Sequence, residues 1–509
     1  MRKFQYFVIA TLAMATLNAQ DISDAVRLST DNVEGTARFK GMSGAFGALG
    51  GDMSAVSINP AGSSIFNNSH ASASLGFGNN RNDTFYFEDA LSSQDSSFDL
   101  NQAGASFVYL NGNQNSPWRK FALALAYDKT GNFNDNWTAR GVSPTANIGD
   151  YFLEYARGLP LADISALEGE TLSDAYFEIG QAFGFGHQQA FLGYESFILD
   201  PENETDDNTA YINTITGGNY DQQFAYNANG YNGTLAFNAS AQYGDNLHIG
   251  LNVNSHFVNY ERSTFFSERN NNASAGVNRV GFENILLTNG VGLSFQLGSI
   301  LKLDNGFRLG LAYDSPTWYR ITEESYQYLE TTVNDGDNAP FSQVIDPGFF
   351  TLFPDYRFRS PSKITASVAY VALDKGLLSF DYSRKNFSNA EFRPNSDPFF
   401  QFQNDDIENR LKDASTYRFG AEYRIERISL RGGYSFEESP YEDESFFGNR
   451  TGYSLGLGYK FGNTTLDVAF NSLQRQYNYQ FFGNSQEFTN ASIIDNVNTN
   501  VVLTLGFSI

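Results

Sequence analysis

Thr234–Asn254 reads TLAFNASAQYGDNLHIGLNVN. Leu235, Phe237, Ala239, Ala241 and Tyr243 alternate with Ala236, Asn238, Ser240 and Gln242. After Gly244-Asp245, Leu247, Ile249, Leu251 and Val253 alternate with His248, Gly250, Asn252 and Asn254. A period of two puts one set on each face of a strand. The stretch is therefore two strands joined by a tight turn, each with one apolar face. The pattern returns over 291–298, 307–314 and 453–461. A soluble sandwich also alternates. Here the apolar face often ends in Tyr or Phe, and the other face carries Gly, Ser, Asn, Arg and Lys. That suits a barrel with lipid-facing aromatic girdles and a wet or filled lumen.

Spacing supports the same reading. Strands are predicted at 71–79, 103–111, 120–128, 231–243, 246–258, 289–300, 306–314, 363–372, 377–386, 415–425, 428–436, 453–461, 464–473 and 499–509. Short links (Gly244-Asp245, Asp374-Lys375-Gly376, Glu426-Arg427, Gly462-Asn463) alternate with long ones near 129–230, 259–288, 315–362, 387–414, 437–452 and 474–498. Outer-membrane barrels join strands by short periplasmic turns and long extracellular loops. The predicted fold is all-β, a fourteen-stranded antiparallel transmembrane β-barrel, with both chain ends on the periplasmic side. Its last strand, ending Val501-Val502-Leu503-Thr504-Leu505-Gly506-Phe507-Ser508-Ile509, keeps its apolar face to the terminus. Within 129–230, Asp150–Arg157 and 172–199 have helical apolar spacing, so a partly helical extracellular cap is expected. Phe152, Tyr155, Phe183, Phe185, Phe191 and Phe197 are then candidates to meet an apolar ligand; the competing reading is a cap that packs only on itself.

Composition narrows the function classes. The 509 residues carry 57 Asp+Glu against 33 Lys+Arg, a formal charge of -24, which argues against a nucleic-acid partner. There is no cysteine, hence no disulfide frame and no thiolate metal site. The first nineteen residues read as a signal peptide: Arg2 and Lys3, an apolar run from Tyr6 to Leu17, and a small-residue exit at Ala19. No later run of about 18 apolar residues exists to form a membrane helix. The expected location is the outer membrane of a Gram-negative bacterium, in contact with its lipid.

Residues 20–70 precede the first strand. Their Gly47–Gly62 portion reads GALGGDMSAVSINPAG. The segment is too polar to span lipid, yet Phe39, Met42, Phe46, Leu49, Met53, Val56 and Ile58 make it too apolar for a disordered tail. A barrel of this size leaves a hole unless filled. The segment is expected inside it as a plug, with 71–509 as the wall and Asn59-Pro60 as a rigid elbow. A soluble periplasmic arm is the competing reading.

GTARFKGMSGAFGALGGDMSAVSINPAG resembles the N-terminal hatch of the FadL/TodX outer-membrane transporters, whose hatch ends in Asn-Pro-Ala; Asn59, Pro60 and Ala61, followed by Gly62, match it. RLGLAYDSPTWYRI, LRGGYSFEESPY, YSLGLGYKFG and TTLDVAF are similar to later-strand motifs of that family. The resemblance implies a plugged fourteen-stranded barrel and passive, hatch-controlled uptake of long-chain fatty acids or aromatic hydrocarbons by a monomer. It also implies sideways release at a kinked strand, here the third, Phe121 to Asp128. The alternative is a structural or secretion-associated barrel whose loops bind protein partners. The loops are longer and more acidic than the family pattern, which leaves the solute open.

A fatty-acid carboxylate would want a cation. Arg308, Arg418, Arg431 and Lys460 fall on the inward face by alternation, as do Asp381, Glu422 and Asp467. Pairing of these charges across the lumen competes with ligand binding, since buried charges are normally paired. His70, His187, His248 and His256 lack metal spacing and no nucleophile motif accompanies them. Neither enzyme activity, nor a metal, nor a cofactor is expected.

Overall fold

The computed structural model describes residues 21–30, 32–113, 115–272, 276–334, 339–372, 375–483 and 485–509. The expected signal peptide and Asp374 of one short link lie outside the described residues.

Fourteen antiparallel strands form the wall: β1 (His70–Tyr86), β2 (Asp89–Leu110), β3 (Trp118–Asn132), β4 (Tyr220–Tyr243), β5 (Leu247–Asn270), β6 (Val277–Lys302), β7 (Phe307–Asp314, resuming at Trp318–Val333), β8 (Tyr356–Arg359, resuming at Lys363–Ala372), β9 (Gly376–Asn386), β10 (Asp413–Ile425), β11 (Ile428–Glu437), β12 (Arg450–Phe461), β13 (Thr464–Gln480) and β14 (Ala491–Ser508). Each pairs with its chain neighbours, and β14 closes on β1 from Phe85↔Ile493 to His70↔Ser508. All fourteen predicted strands are present. Most continue several residues further at the long-loop end: β4 and β5 have 24 residues each and β6 has 26. About 10 residues cross a bilayer. The alternation marked only the lipid-crossing part; beyond it the outward face turns polar while the ladder continues.

The outward positions form the belt the alternation called for. Leu251, Val253, Leu297, Leu311, Leu455 and Leu457 are exposed between Phe121, Tyr243 and Phe307 below and Phe77, Phe98 and Trp318 above. Gly244 and Gly462 occupy short turns at φ +58° and +64°, a backbone that glycine adopts without strain.

Three helices make the cap within 129–230: α2 (Ile148–Ala156), α3 (Leu172–Phe183) and α4 (Phe185–Glu195). The predicted single stretch 172–199 breaks at Gly184, φ +87°. A further helix, α5 (Pro398–Arg410), covers the β9–β10 side, and α1 (Ile22–Ser29) begins the described chain. The cap encloses one apolar core that includes Trp137, Phe152, Phe191, Phe224, Phe266, Phe282 and Phe488. A second joins Ile22, Val26 and Leu28 of α1 to Tyr319, Phe358, Phe392, Phe400 and Ile407. The described chain therefore begins beneath the extracellular loops, not on the periplasmic side where strand parity put both ends, because the apolar face of α1 packs there; the segment then runs down to the periplasmic end, where Phe66 stacks on His70 at 4.9 Å.

Candidate functional site

The site is the contact between residues 21–66 and the inner face of the wall. Sequence explains its closeness. Gly250, Gly310 and Gly433 stand where the segment's backbone touches the wall, and Gly298 where the Asn59 side chain does: a Cβ on Gly310 would lie 2.2 Å from the Gly47 carbonyl oxygen, and one on Gly433 2.5 Å from the Met42 carbonyl carbon. Polar wall residues take up the segment's backbone groups, which would otherwise be buried unpaired. Asn252 Nδ2 donates to the Val56 carbonyl (2.9 Å), Asn238 Nδ2 to Pro60 (2.9 Å), Arg308 to Leu49 (2.8 Å), and Lys120 Nζ to Phe66 (2.7 Å). Asp381 accepts from the Gly47 N–H at 2.8 Å.

Asn59 holds the elbow. Its Nδ2 donates to the Gly47 carbonyl (2.8 Å) and to Ser299 on β6 (2.9 Å), while its Oδ1 accepts from the Ala61 N–H (3.1 Å), capping the turn over Pro60–Ile65. Pro60 sits at the first turn position, where a missing N–H costs nothing. Gly62 lies against Gly50, with a Cβ-to-Cα approach of 3.2 Å that leaves little room for a side chain.

Charges fix the segment's middle. Arg38 bonds Glu422 at 2.9 Å and the Gly51 carbonyl at 3.0 Å. Glu422 also takes Arg431 (2.7 Å) and Arg424 (2.6 Å), and Arg431 reaches Asp467 at 2.6 Å. Glu422 and Asp467 therefore serve as structural partners for the guanidiniums around them.

The wall is interrupted at β3. The β2–β3 ladder runs from Leu110↔Lys120 to Gln102↔Asp128 and stops; beyond it β2 pairs only with β1, and β3 only with β4, with an irregularity between Lys129 and Gly131. The chain then turns to lie over β1, where Asp135 accepts from Asn80 (2.7 Å) and Asn82 (2.6 Å). At the edge that β2 leaves, the N-terminal segment takes over. The Asn32 N–H donates to the Thr130 carbonyl (2.7 Å) and the Glu34 N–H to Lys129 (2.8 Å). Buried Asp128, the last laddered residue, accepts from Ser54 (3.0 Å) and Ser57 (2.6 Å). Asp52 accepts from Thr36 nearby, and burial pushes its carboxyl above the usual range against the pull of Arg38.

The protein-family model that matches is described as outer membrane protein transport protein (OMPP1/FadL/TodX), over residues 207–506. The chain belongs to this family. No protein of curated function matches it. Among solved structures, the toluene transporter TodX of P. putida is 12% identical with a TM-score of 0.52, the match covering 94% of this chain and 99% of that one. A Pseudomonas aeruginosa FadL homologue is also 12% identical, TM-score 0.50, covering 93% and 98%. At such identity these two structures speak for the shared fold.

The structure distributes the predicted residues as follows. Phe152 and Phe191 are fully buried in the cap core, Tyr155 and Phe185 meet edge-on at 6.0 Å, and Phe183 and Phe197 are exposed. The six are not gathered around a single cavity among the described residues. Arg308 and Arg431 bind the N-terminal segment and the wall carboxylates, as above. Lys460 is exposed near the periplasmic turn. Arg418 borders a cavity of about 80 Å3 between the segment and the wall, together with Phe39, Lys40, Ser43, Gly44, Glu437 and Arg450. His248 is buried against Ser64 (2.8 Å) and His256 bridges Thr234 and Ser294.

Sequence reading did not single out Asp128, Ser54, Ser57, Asn32 or Glu34. One signal was available. The inward positions of β3 run Ala122, Ala124, Ala126, then Asp128; three small residues leave room for a second chain, and the acid then needs donors from it.

Proposed function

We propose that the chain is a monomeric outer-membrane channel through which hydrophobic small molecules, such as long-chain fatty acids or aromatic hydrocarbons, enter passively. In this reading residues 21–66 are its hatch. The observation that carries it is the exchange at β3: the Asn32 and Glu34 N–H groups take the Thr130 and Lys129 carbonyls past the point where β2 leaves, and on the lumenal side Ser54 and Ser57 hold Asp128. Withdrawal of the segment frees that edge and unblocks the lumen in one movement, so hatch and wall gap are coupled. An apolar solute gains little from a water-filled pore; it is better captured on an apolar outer surface and handed inward. Such a surface lies between α3 and the 341–352 arm, where Phe177 packs edge-on to Phe349 at 5.6 Å and Phe177, Phe350 and Leu352 are exposed at 51%, 43% and 65%. Phe197, also exposed, meets Phe341 of the same arm edge-on at 5.5 Å. Arg418 is the lumenal cation best placed to receive a carboxylate, since no direct ion pair or hydrogen bond holds it among the described residues.

The test is ligand retention with uptake. The protein, purified in short-chain detergent, is extracted and analysed by mass spectrometry for bound lipids. Cells carrying wild type or Asn59→Ala/Pro60→Gly are then assayed for fatty-acid and toluene uptake. Bound hydrophobic solute with uptake altered in the variant supports the reading. An empty protein whose presence leaves uptake unchanged refutes it.

A further inference from the structure

The outer wall carries a row of arginines at the upper rim of its lipid-facing belt. Arg320 on β7 lies directly opposite Arg357 on β8, and Arg357 directly opposite Arg393 in the short strand Glu391–Arg393. All three point away from the lumen: their strand neighbours Tyr319, Ile321, Tyr356, Phe358 and Phe392 are buried. The Arg320 and Arg393 side chains are 71% and 46% exposed. Arg359 and Arg384 flank the row. Three carboxylates serve these five guanidiniums: Asp355 takes Arg320 (2.6 Å), Glu391 takes Arg359 (3.0 Å) and Arg393 (2.9 Å), and Asp413 takes Arg384 (2.6 Å). Arg357, in the middle, has no ion pair or hydrogen bond among the described residues.

Two features make this more than a solvated face. Like charges directly opposite one another weaken a ladder, and here three stand in line in a chain whose formal charge is -24. The height is also defined. Arg320 pairs across from Val291, and Trp318, one outward position below, from Leu293; these two aliphatics are 63% and 54% exposed. One outward position above, Thr322 faces Asn289. The row therefore sits where apolar wall gives way to polar wall, on the long-loop side.

We propose that this row binds the phosphate groups of a glycolipid in the outer leaflet, with Arg357 as the central ligand. Guanidinium forks match phosphate oxygens two at a time. Strands about 4.8 Å apart give the row a reach of about 10 Å, so one phosphate meets two or three arginines. Trp318 and Ile364, 48% and 54% exposed, lie below it for the acyl chains. The lipid supplies the counter-charge that the protein lacks and relieves the repulsion along the row.

The test uses the full chain in mixed micelles with phosphorylated lipid A, with lipid A stripped of phosphate, or with inorganic phosphate alone. Wild type is compared with Arg357→Ser, Arg357→Lys, the triple Arg320→Ser/Arg357→Ser/Arg393→Ser, and Arg269→Ser as a control elsewhere on the outer face. Native mass spectrometry reads bound lipid, and thermal unfolding reads protection. A juxtamembrane arginine contributes roughly a fivefold change in affinity, so the triple variant should lose about a hundredfold, Arg357→Lys should retain part of the binding, and the control should match wild type. Only the phosphorylated lipid should protect. Equal retention by wild type and the triple variant, or equal protection by lipid A without phosphate or by inorganic phosphate alone, overturns the proposal. It does not rest on the transport reading: loss of lipid with normal solute uptake would leave that reading intact.

Discussion

Alanine at two wall glycines should dislodge the elbow without cutting the barrel. A Cβ on Gly298 would stand 2.0 Å from Asn59 Oδ1 and 2.7 Å from Pro60 Cδ; one on Gly250 would stand 2.3 Å from the Pro60 carbonyl carbon. Neither glycine has a positive φ, so alanine fits the strand itself and the clash falls on the elbow. Relief requires a retreat of more than about 1 Å, since carbon contacts settle near 3.5–4.0 Å. The retreat strains or breaks the Asn59 bonds to Gly47 and Ser299. Overpacking costs about 1–3 kcal/mol and a buried amide left unpaired about 1–3 kcal/mol. Gly250→Ala/Gly298→Ala should therefore weaken docking of the elbow by about 2–6 kcal/mol, with the wall ladders untouched. Gly432→Ala, whose Cβ would meet nothing nearer than 3.9 Å, is the neutral control. Planar-bilayer conductance should rise in the double variant. Trypsin should gain access to Arg38 and Lys40, which are held in ion pairs with Glu422 and Glu34. A double variant as silent and protease-resistant as wild type would refute the reasoning.

Other perturbations follow from the same contacts. Arg431→Met strands Asp467 without the guanidinium that holds it, at about 3–5 kcal/mol; the folded barrel should lose heat resistance on electrophoresis, and an unchanged midpoint would show the pair to be dispensable. Burial pushes the Asp24 carboxyl on α1 up to about 7, against the pull of Arg27. A raised native pKa means that docking of α1 is favoured below about pH 4 and the advantage is lost as pH rises through 7. Hydrogen exchange over 22–29, corrected for intrinsic rates, should be better protected at pH 5.5 than at pH 8, and Asp24→Asn should flatten the difference. Phe177→Ser/Phe350→Ser should slow uptake of a dilute hydrocarbon several-fold while leaving stability within about 0.5 kcal/mol; unchanged uptake would place capture elsewhere.

The barrel was legible because lipid imposes a period of two on every crossing strand, so Leu235–Tyr243 and Leu247–Val253 announced themselves. The strand extensions beyond the belt were not, since Asn259, Glu261 and Ser263 on the outer face of β5 carry no alternation. Asn59, Pro60 and Ala61 could be read from their order. Their partners could not: Gly47, Ser299 and Asn238 are up to 240 positions from Asn59, and nothing local encodes such a pairing. Arg418 and Arg431 looked alike by alternation. Arg431 meets Glu422 on β10 and, across β12, Asp467 on β13, whereas Arg418 faces the cavity. Among the cap aromatics, spacing located the helices but could not tell Phe152, turned into the core, from Phe183, turned out.

The central claim is that solute passes only when residues 21–66 leave their place, and a covalent lock tests it most directly. The chain has no cysteine, and the Ser63 and Ser240 hydroxyl oxygens lie 2.6 Å apart across hatch and wall. Ser63→Cys/Ser240→Cys should form a disulfide under oxidation. Uptake of labelled fatty acid and of toluene is then measured in cells or proteoliposomes before and after reduction. The account predicts uptake at the level of protein-free controls when oxidised, restored by a reductant. Equal uptake by the locked and the reduced protein would contradict it.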